Sequence, residues 1–143
     1  MTETMERLCT VEVAGTLCGL PVDRIQEVVR HDRITPVPMA PPGVRGLINL
    51  RGRIVTAVDM RHRLGVDAAD DTASMHVILR DEDGGISLLV DRVGDVVAVE
   101  RSQWEDPPAT LRGGARRHVR GAYKLADRLL LVLDLERVLD FGD

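Results

Sequence analysis

Along most of the chain, apolar residues recur at every second position, the spacing of strands with one buried face. From Leu8 to Val13, the residues Cys9, Val11 and Val13 share one face and Thr10 and Glu12 share the other. Ala14-Gly15-Thr16 reads as a turn. Leu17–Val22 then places Cys18, Leu20 and Val22 on one face, which predicts a hairpin. Val28-Val29 opens a further short strand. The segment Pro36–Gly43 carries Pro36, Pro38, Pro41 and Pro42. It can be neither helix interior nor central strand, and is expected as an extended crossing on the surface.

Gly46–Leu50 and Arg53–Asp59 predict a second hairpin turned at Arg51-Gly52, with Gly52 supplying the positive φ of a tight turn. Met60–Leu64 predicts a single helical turn. Val77–Leu79 and Ile86–Val90, joined at Asp81–Gly85, repeat the first hairpin. The unbroken apolar run Leu129–Leu133 predicts a strand buried on both faces, and Leu135–Leu139 a short terminal helix. Many short strands with little helix predict an all-β protein of two small barrels.

The chain also repeats itself. Val22-Asp23-Arg24-Ile25-Gln26-Glu27-Val28-Val29 returns as Val90-Asp91-Arg92-Val93-Gly94-Asp95-Val96-Val97, 68 positions later. Val44-Arg45-Gly46 returns as Val119-Arg120-Gly121, 75 positions later. At that same offset Leu50, Arg53, Asp59 and Leu64 match Leu125, Arg128, Asp134 and Leu139. The order of the blocks is kept. Residues 8–65 and 76–140 are therefore approximate repeats within one domain spanning 1–143, linked by the small polar stretch Val66–Ser74. A unit of about 60 residues buries too little surface to stand alone, so the halves are expected to pack on each other across a seam.

Composition narrows the function. Lys+Arg is 19 and Asp+Glu 23, a net charge of −4, which disfavours sequence-indifferent nucleic-acid binding. Aromatics are 2%, too few for stacking platforms. The first residues carry Glu3, Glu6 and Arg7 without an apolar run, and no stretch approaches the ~20 apolar residues of a spanning helix. A soluble, cytoplasmic protein with no direct membrane insertion is expected. Cys9 and Cys18 lack metal or redox spacing and read as small buried apolar residues.

Signatures of catalysis and cofactor binding are missing: no GxSxG, GxxxxGK[ST], GxGxxG or HExxH occurs. The expectation is no enzyme, no cofactor and no metal. His31, His62, His76 and His118 are scattered and read as surface or edge-of-core residues. The basic segment Arg112, Arg116, Arg117, His118 and Arg120 has the composition of a nucleic-acid patch, but on an acidic chain it reads better as a solvated loop. One difference between the repeats points to function. Asn49-Leu50-Arg51-Gly52 faces Lys124-Leu125-Ala126-Asp127, so the turn differs where the strands agree. A guanidinium on a rigid turn suits a partner's carboxylate or carbonyl. It could equally pair internally, with Glu27 or Asp59.

Val44-Arg45-Gly46-Leu47-Ile48-Asn49-Leu50-Arg51-Gly52-Arg53-Ile54-Val55-Thr56-Ala57-Val58-Asp59-Met60-Arg61 resembles the signature of the CheW family, the coupling proteins of bacterial chemotaxis. The Pro-rich approach, the block Val90–Val96 and the element Leu133-Asp134-Leu135-Glu136-Arg137-Val138-Leu139 fit the same family, and the similarity runs from about Leu8 to Leu139. Cys9, Val11 and Leu17 stand where relatives commonly have aromatics, and Ser87 where they often have Gly.

The resemblance implies two intertwined five-stranded SH3-like β-barrels with short helical turns, and a non-catalytic adaptor. The implied partners are the cytoplasmic tip of a methyl-accepting chemoreceptor and the regulatory domain of the chemotaxis histidine kinase. It further implies that Arg51 and Glu27 lie at the groove holding the receptor helix. Ile25 and Val28 would supply apolar contact there, and Gly46, Asn49, Gly52 and Asp59 would be turn or structural residues. The kinase contact is expected largely on the first barrel. Two alternatives are a CheW-like scaffold of a non-motility pathway and a nucleic-acid-binding small barrel using Arg112–Arg120.

Overall fold

The computed structural model describes residues 4–31, 33–66, 75–80 and 84–141. The expected linker Val66–Ser74, apart from Val66, lies outside the described residues, as do the first three residues of the Asp81–Gly85 turn. Among the described residues there are ten strands and three short α-helices: β1 (Met5–Val13), β2 (Thr16–Pro21), β3 (Ile25–Arg30), β4 (Val44–Leu50), β5 (Arg53–Asp59), α1 (Met60–Arg63), β6 (Met75–Leu79), β7 (Ile86–Val90), β8 (Arg92–Glu100), α2 (Gly113–His118), β9 (Val119–Lys124), β10 (Leu129–Leu133) and α3 (Leu135–Val138). The expected hairpins, the Pro-rich surface crossing and the helical turns after Asp59 and Asp134 all appear.

The strands form two five-stranded sheets, ordered β8-β1-β2-β10-β9 and β3-β6-β7-β5-β4. The two halves therefore interlock, in keeping with the intertwined arrangement that the resemblance implied, and do not meet only at a seam. Each repeat gives its first hairpin to the other repeat's sheet: β1–β2 joins β8, β9 and β10, while β6–β7 joins β3, β4 and β5. The register is duplicated residue for residue. Leu131 pairs with Cys18 in the parallel β10–β2 ladder, and their counterparts Thr56 and Ile86 pair in the parallel β5–β7 ladder. Val96 lies opposite Cys9, and Val28 opposite Val77. Even the bulges coincide, at Cys9/Val11 in one sheet and Ile25/Glu27 in the other. The exchange has a physical reason. Neither repeat alone has enough apolar surface for a stable sheet, and swapping hairpins forces both repeats into one core.

That core combines the inner faces of both sheets: Cys9, Val11, Cys18, Leu20, Leu131 and Leu133 from one, and Val58, Val77, Leu79, Leu88 and Val90 from the other. Met60 and Leu64 close it beside α1, and Leu135 and Val138 beside α3. A satellite cluster lies on the opposite face of each sheet. One holds Leu8, Tyr123, Leu130 and Val132, the other Ile48, Val55 and Ile78. Central strands are thus buried on both faces, which is why Leu8, Thr10 and Glu6 are buried although alternation assigns only Cys9, Val11 and Val13 to the core.

Two sequence readings are corrected. His76 and His118 are buried, not surface or edge residues. His76 sits at the position of Leu8 in the sister hairpin. The segment at Arg112–Arg120 is not a loop: it forms α2 and the start of β9, with Arg116 and Arg117 exposed and His118 and Val119 buried.

Candidate partner-binding site

The turn between β4 and β5 is built from three residues. Arg51 (φ 53°) and Gly52 (φ 86°) both take left-handed backbone conformations, the geometry of a two-residue hairpin turn whose twist matches its strands. Asn49 Oδ1 accepts from the Gly52 backbone N–H at 2.8 Å and fixes the turn. Among the described residues, Ala126 and Asp127 in the sister turn are not left-handed.

Upstream, Gly46 leaves room for the Pro-rich crossing. The Thr35 and Leu47 backbones exchange two 2.8 Å hydrogen bonds, and a Cβ on Gly46 would stand 2.3 Å from the Thr35 carbonyl oxygen. Downstream, Asp59 caps α1: its Oδ1 accepts from the N–H of Arg61 (2.9 Å) and of His62 (3.4 Å), and Oδ2 lies 3.5 Å from Arg45 Nη1. Asp134 caps α3 in the same way. Asp59 is therefore structural and does not meet Arg51.

Arg51 instead reaches across to Glu27 on β3 and forms an ion pair with Oε2. The Arg51 side chain is 66% exposed, so the pair is presented to solvent. Beside it, His31 Nε2 donates to the Asn49 carbonyl at 3.1 Å, and Val29, Ile34 and Leu50 pack on the Ile48/Val55/Ile78 cluster. These contacts join β3 and β4, the two outer strands of their sheet. The repeat counterparts of Glu27 and Arg51 are Asp95 and Ala126, so the ion pair exists in one copy only.

The structure does not gather all four expected contact residues on one surface. Val28 is exposed beside Glu27, but Ile25 turns inward and packs against the shared core. Ile54, which sequence reasoning did not single out, is 58% exposed two residues beyond the turn. Its counterpart is Leu129, and that of Val28 is Val96. All four are exposed apolar residues. The repeat alignment held this signal, since Val28/Val96 and Ile54/Leu129 are matched apolar pairs.

Nucleophilic chemistry finds no support at the thiols. Both cysteines are buried and unpaired, and burial pushes the Cys18 thiol up to about 12 and raises that of Cys9. Among the described residues no group of three His, Cys, Asp or Glu side chains could hold a metal ion, and no helix is long and apolar enough to cross a membrane. What the site offers is a rigid, exposed acid–base pair flanked by aliphatic side chains, a surface for non-covalent docking.

The sequence matches the CheW-like domain over residues 7–142. The chain belongs to the CheW family. Curated relatives named chemotaxis protein CheW include one from Thermotoga maritima, 31% identical over 129 residues (90% of this chain, 84% of the relative). Another, from Rhizobium meliloti, is 33% identical over 116 residues (80% and 74%). The crystal structure of the scaffolding protein TtCheW from Thermoanaerobacter tengcongensis superposes with a TM-score of 0.77 at 27% identity, covering 90% of this chain and 88% of that one. The fold is thus the CheW fold. With family membership comes the role of a chemotaxis coupling adaptor, one that carries out no catalysis.

Proposed function

We propose that this CheW-family chain acts in the cytoplasm as a single unit over its whole length, joining the cytoplasmic tip of a methyl-accepting chemoreceptor to the regulatory domain of a chemotaxis histidine kinase. The single observation that carries the receptor assignment is the exposed Arg51–Glu27 pair on a left-handed turn that the sister repeat lacks. A feature absent from the second copy is not needed to fold the repeat. An amphipathic receptor helix would meet the pair with its polar side and Val28 with its apolar side. Ile25 supports this strand from below rather than touching the helix.

An adaptor also needs a second surface. Exposed apolar residues are duplicated, Val28 and Ile54 in one sheet and Val96 and Leu129 in the other, which gives each sheet apolar surface for a partner of its own. Strand exchange supports the single-unit reading, because neither repeat keeps a complete sheet of its own.

Co-sedimentation with a chemoreceptor cytoplasmic fragment and the kinase, reading kinase autophosphorylation, tests this. Wild type joins the complex and changes kinase activity. Arg51→Ala, with an unchanged circular dichroism spectrum, weakens receptor binding by about 1–3 kcal/mol, as expected of an interface anchor. Binding of wild type to neither partner would overturn the coupling assignment, and full binding by Arg51→Ala would overturn the receptor surface.

A further inference from the structure

Four guanidinium groups line one concavity of about 820 Å³: Arg116 and Arg117 from α2, Arg120 from β9 and Arg137 from α3. Asp106 and Asp134 line it too. A neighbouring cavity of about 540 Å³, bordered by His62 and Phe141, shares the Arg117 and Arg137 walls. The lining therefore carries four cations against two carboxylates, on a chain whose net charge is −4.

The four cations are not equally occupied. Arg120 donates to Glu6 Oε2 at 3.1 Å, and its guanidinium lies 4.9 Å from the centre of the Trp104 ring. Arg137 Nε lies 3.7 Å from Asp134 Oδ2. Arg116 and Arg117 are exposed, and their side chains have no hydrogen bond or ion pair among the described residues. Like charges lining one cavity repel one another. After burial, the charge of Arg117 is the next cause holding the Arg63 guanidinium below its ordinary value.

The repeat shows that the fold does not require this crowding. The backbone scaffold is duplicated: Asp134 N–H donates to the His118 carbonyl (2.8 Å), as its counterpart Asp59 N–H donates to the Gly43 carbonyl (2.7 Å). Of the four guanidiniums only Arg120 has a counterpart, Arg45; the other three are not duplicated. Seventy-five positions before Arg116, Arg117 and Arg137 stand Pro41, Pro42 and His62. Three cations have thus been placed on one copy of a common frame, around a cavity within the ~300–1,000 Å³ range of small-ligand sites.

We propose that this cavity binds a small phosphorylated ligand bearing at least two phosphate groups, of which pyrophosphate is the minimal form. Guanidinium forks bond two phosphate oxygens at once, and unpaired groups at Arg116 and Arg117 beside Arg120 and Arg137 supply forks from three elements. A compact ligand with dense charge can engage several forks at once, whereas an acidic peptide brings only one carboxylate per side chain to the same cations.

The test is titration of the full chain with pyrophosphate, by calorimetry and by fluorescence of Trp104, the sole tryptophan, which lies against Arg120. Saturable binding of one ligand per chain is expected. Arg116→Gln/Arg117→Gln, two exposed changes, lowers the affinity about tenfold or more, on the scale of losing charge-assisted hydrogen bonds. Arg7→Gln/Arg92→Gln, which removes the same charge elsewhere, leaves it within about twofold. Absence of saturation, equal losses in the two double variants, or tighter binding of an oligoglutamate peptide than of pyrophosphate would each overturn the proposal. The chain is used without receptor or kinase, so this outcome is independent of the coupling function.

Discussion

The buried ring of His76 stands where the sister hairpin has Leu8, and its Nδ1 lies 3.0 Å from the hydroxyl of Ser87, which stands where the sister hairpin has Gly19. Both residues are fully buried. The two substitutions match in space: a Cβ on Gly19 would lie 3.3 Å from Leu8 Cδ1, so Leu8 and Gly19 fill one site with a large and a small residue. His76 and Ser87 fill the equivalent site with a hydrogen-bonded pair. The His31 carbonyl, 3.3 Å from Nε2, can only accept. Nε2 therefore carries the proton, and Nδ1 accepts from the Ser87 hydroxyl.

Ser87→Ala leaves Nδ1 buried without a partner and lowers stability by about 1–3 kcal/mol, the cost of an unmade buried hydrogen bond. His76→Leu/Ser87→Gly rebuilds the sister arrangement and is less destabilised than the sum of its single variants. Urea midpoints of the four proteins check this. A strictly additive result would mean that the pair is not coupled.

Two buried histidines set an acid limit. Burial is the first cause holding His76 below the ordinary value of 6.5, with the facing His31 adding repulsion. Burial likewise lowers His118, which Arg63 and Arg117 face with positive charge and whose Nδ1 donates to the Gly114 carbonyl at 2.8 Å. The unfolded chain takes up these protons near 6.5 and the folded chain only at lower pH. Stability from these groups is therefore full above about pH 6.5 and declines as pH falls through the depressed folded-state values. Chemical denaturation at about pH 7.5, 6 and 5 should show this decline, and His76→Leu/Ser87→Gly should flatten it.

How much of this could be read in advance differs by level. The strands, both tight hairpins and the helical turns after Asp59 and Asp134 follow from local pattern and turn chemistry, and the two repeat offsets prove to be the register of both sheets. The exchange of β1–β2 and β6–β7 was not legible, because alternation fixes which face of a strand is buried and not which neighbour it pairs with. Helix α2 went unread, since Gly113-Gly114-Ala115-Arg116-Arg117 has no apolar period. Buried His76 could have been found by setting it against Leu8. At the site, the turn at Arg51 was legible from its glycine and its difference from the sister turn. Its partner was not, because Glu27 and Asp59 both offered a carboxylate until Asp59 proved to be occupied as a helix cap.

The glycine within β4 and the glycine of the turn that follows it should behave differently. At Gly46 (φ 150°) a Cβ meets backbone, so Gly46→Ala must displace the Thr35–Leu47 bridge and is expected to cost more than about 3 kcal/mol or to prevent folding. At Gly52 (φ 86°) a Cβ meets nothing within 4 Å, and only the left-handed backbone resists it. Gly52→Ala should then cost about 1 kcal/mol. Thermal melts distinguish the two, and equal losses would refute the steric account of Gly46.

Exchanging the charges of the Arg51–Glu27 pair separates its two possible roles. In Glu27→Arg/Arg51→Glu the attraction between β3 and the β4–β5 turn is kept in reversed sense. The pair is exposed, so stability should stay within about 1 kcal/mol of wild type. A left-handed backbone at position 51 is disfavoured for Glu as it is for Arg, so the turn itself is not a new source of strain. Receptor binding is different, because a partner helix meets each charge at a fixed place. The exchange puts like charge against like there, and binding should fall at least as far as in Arg51→Ala. Each single variant, Glu27→Arg or Arg51→Glu, sets two like charges side by side and should be less stable than the double. If the double variant recovers both stability and receptor binding, the pair is an internal brace and the receptor contact must be sought elsewhere. Recovery of stability without recovery of binding assigns the guanidinium to the interface.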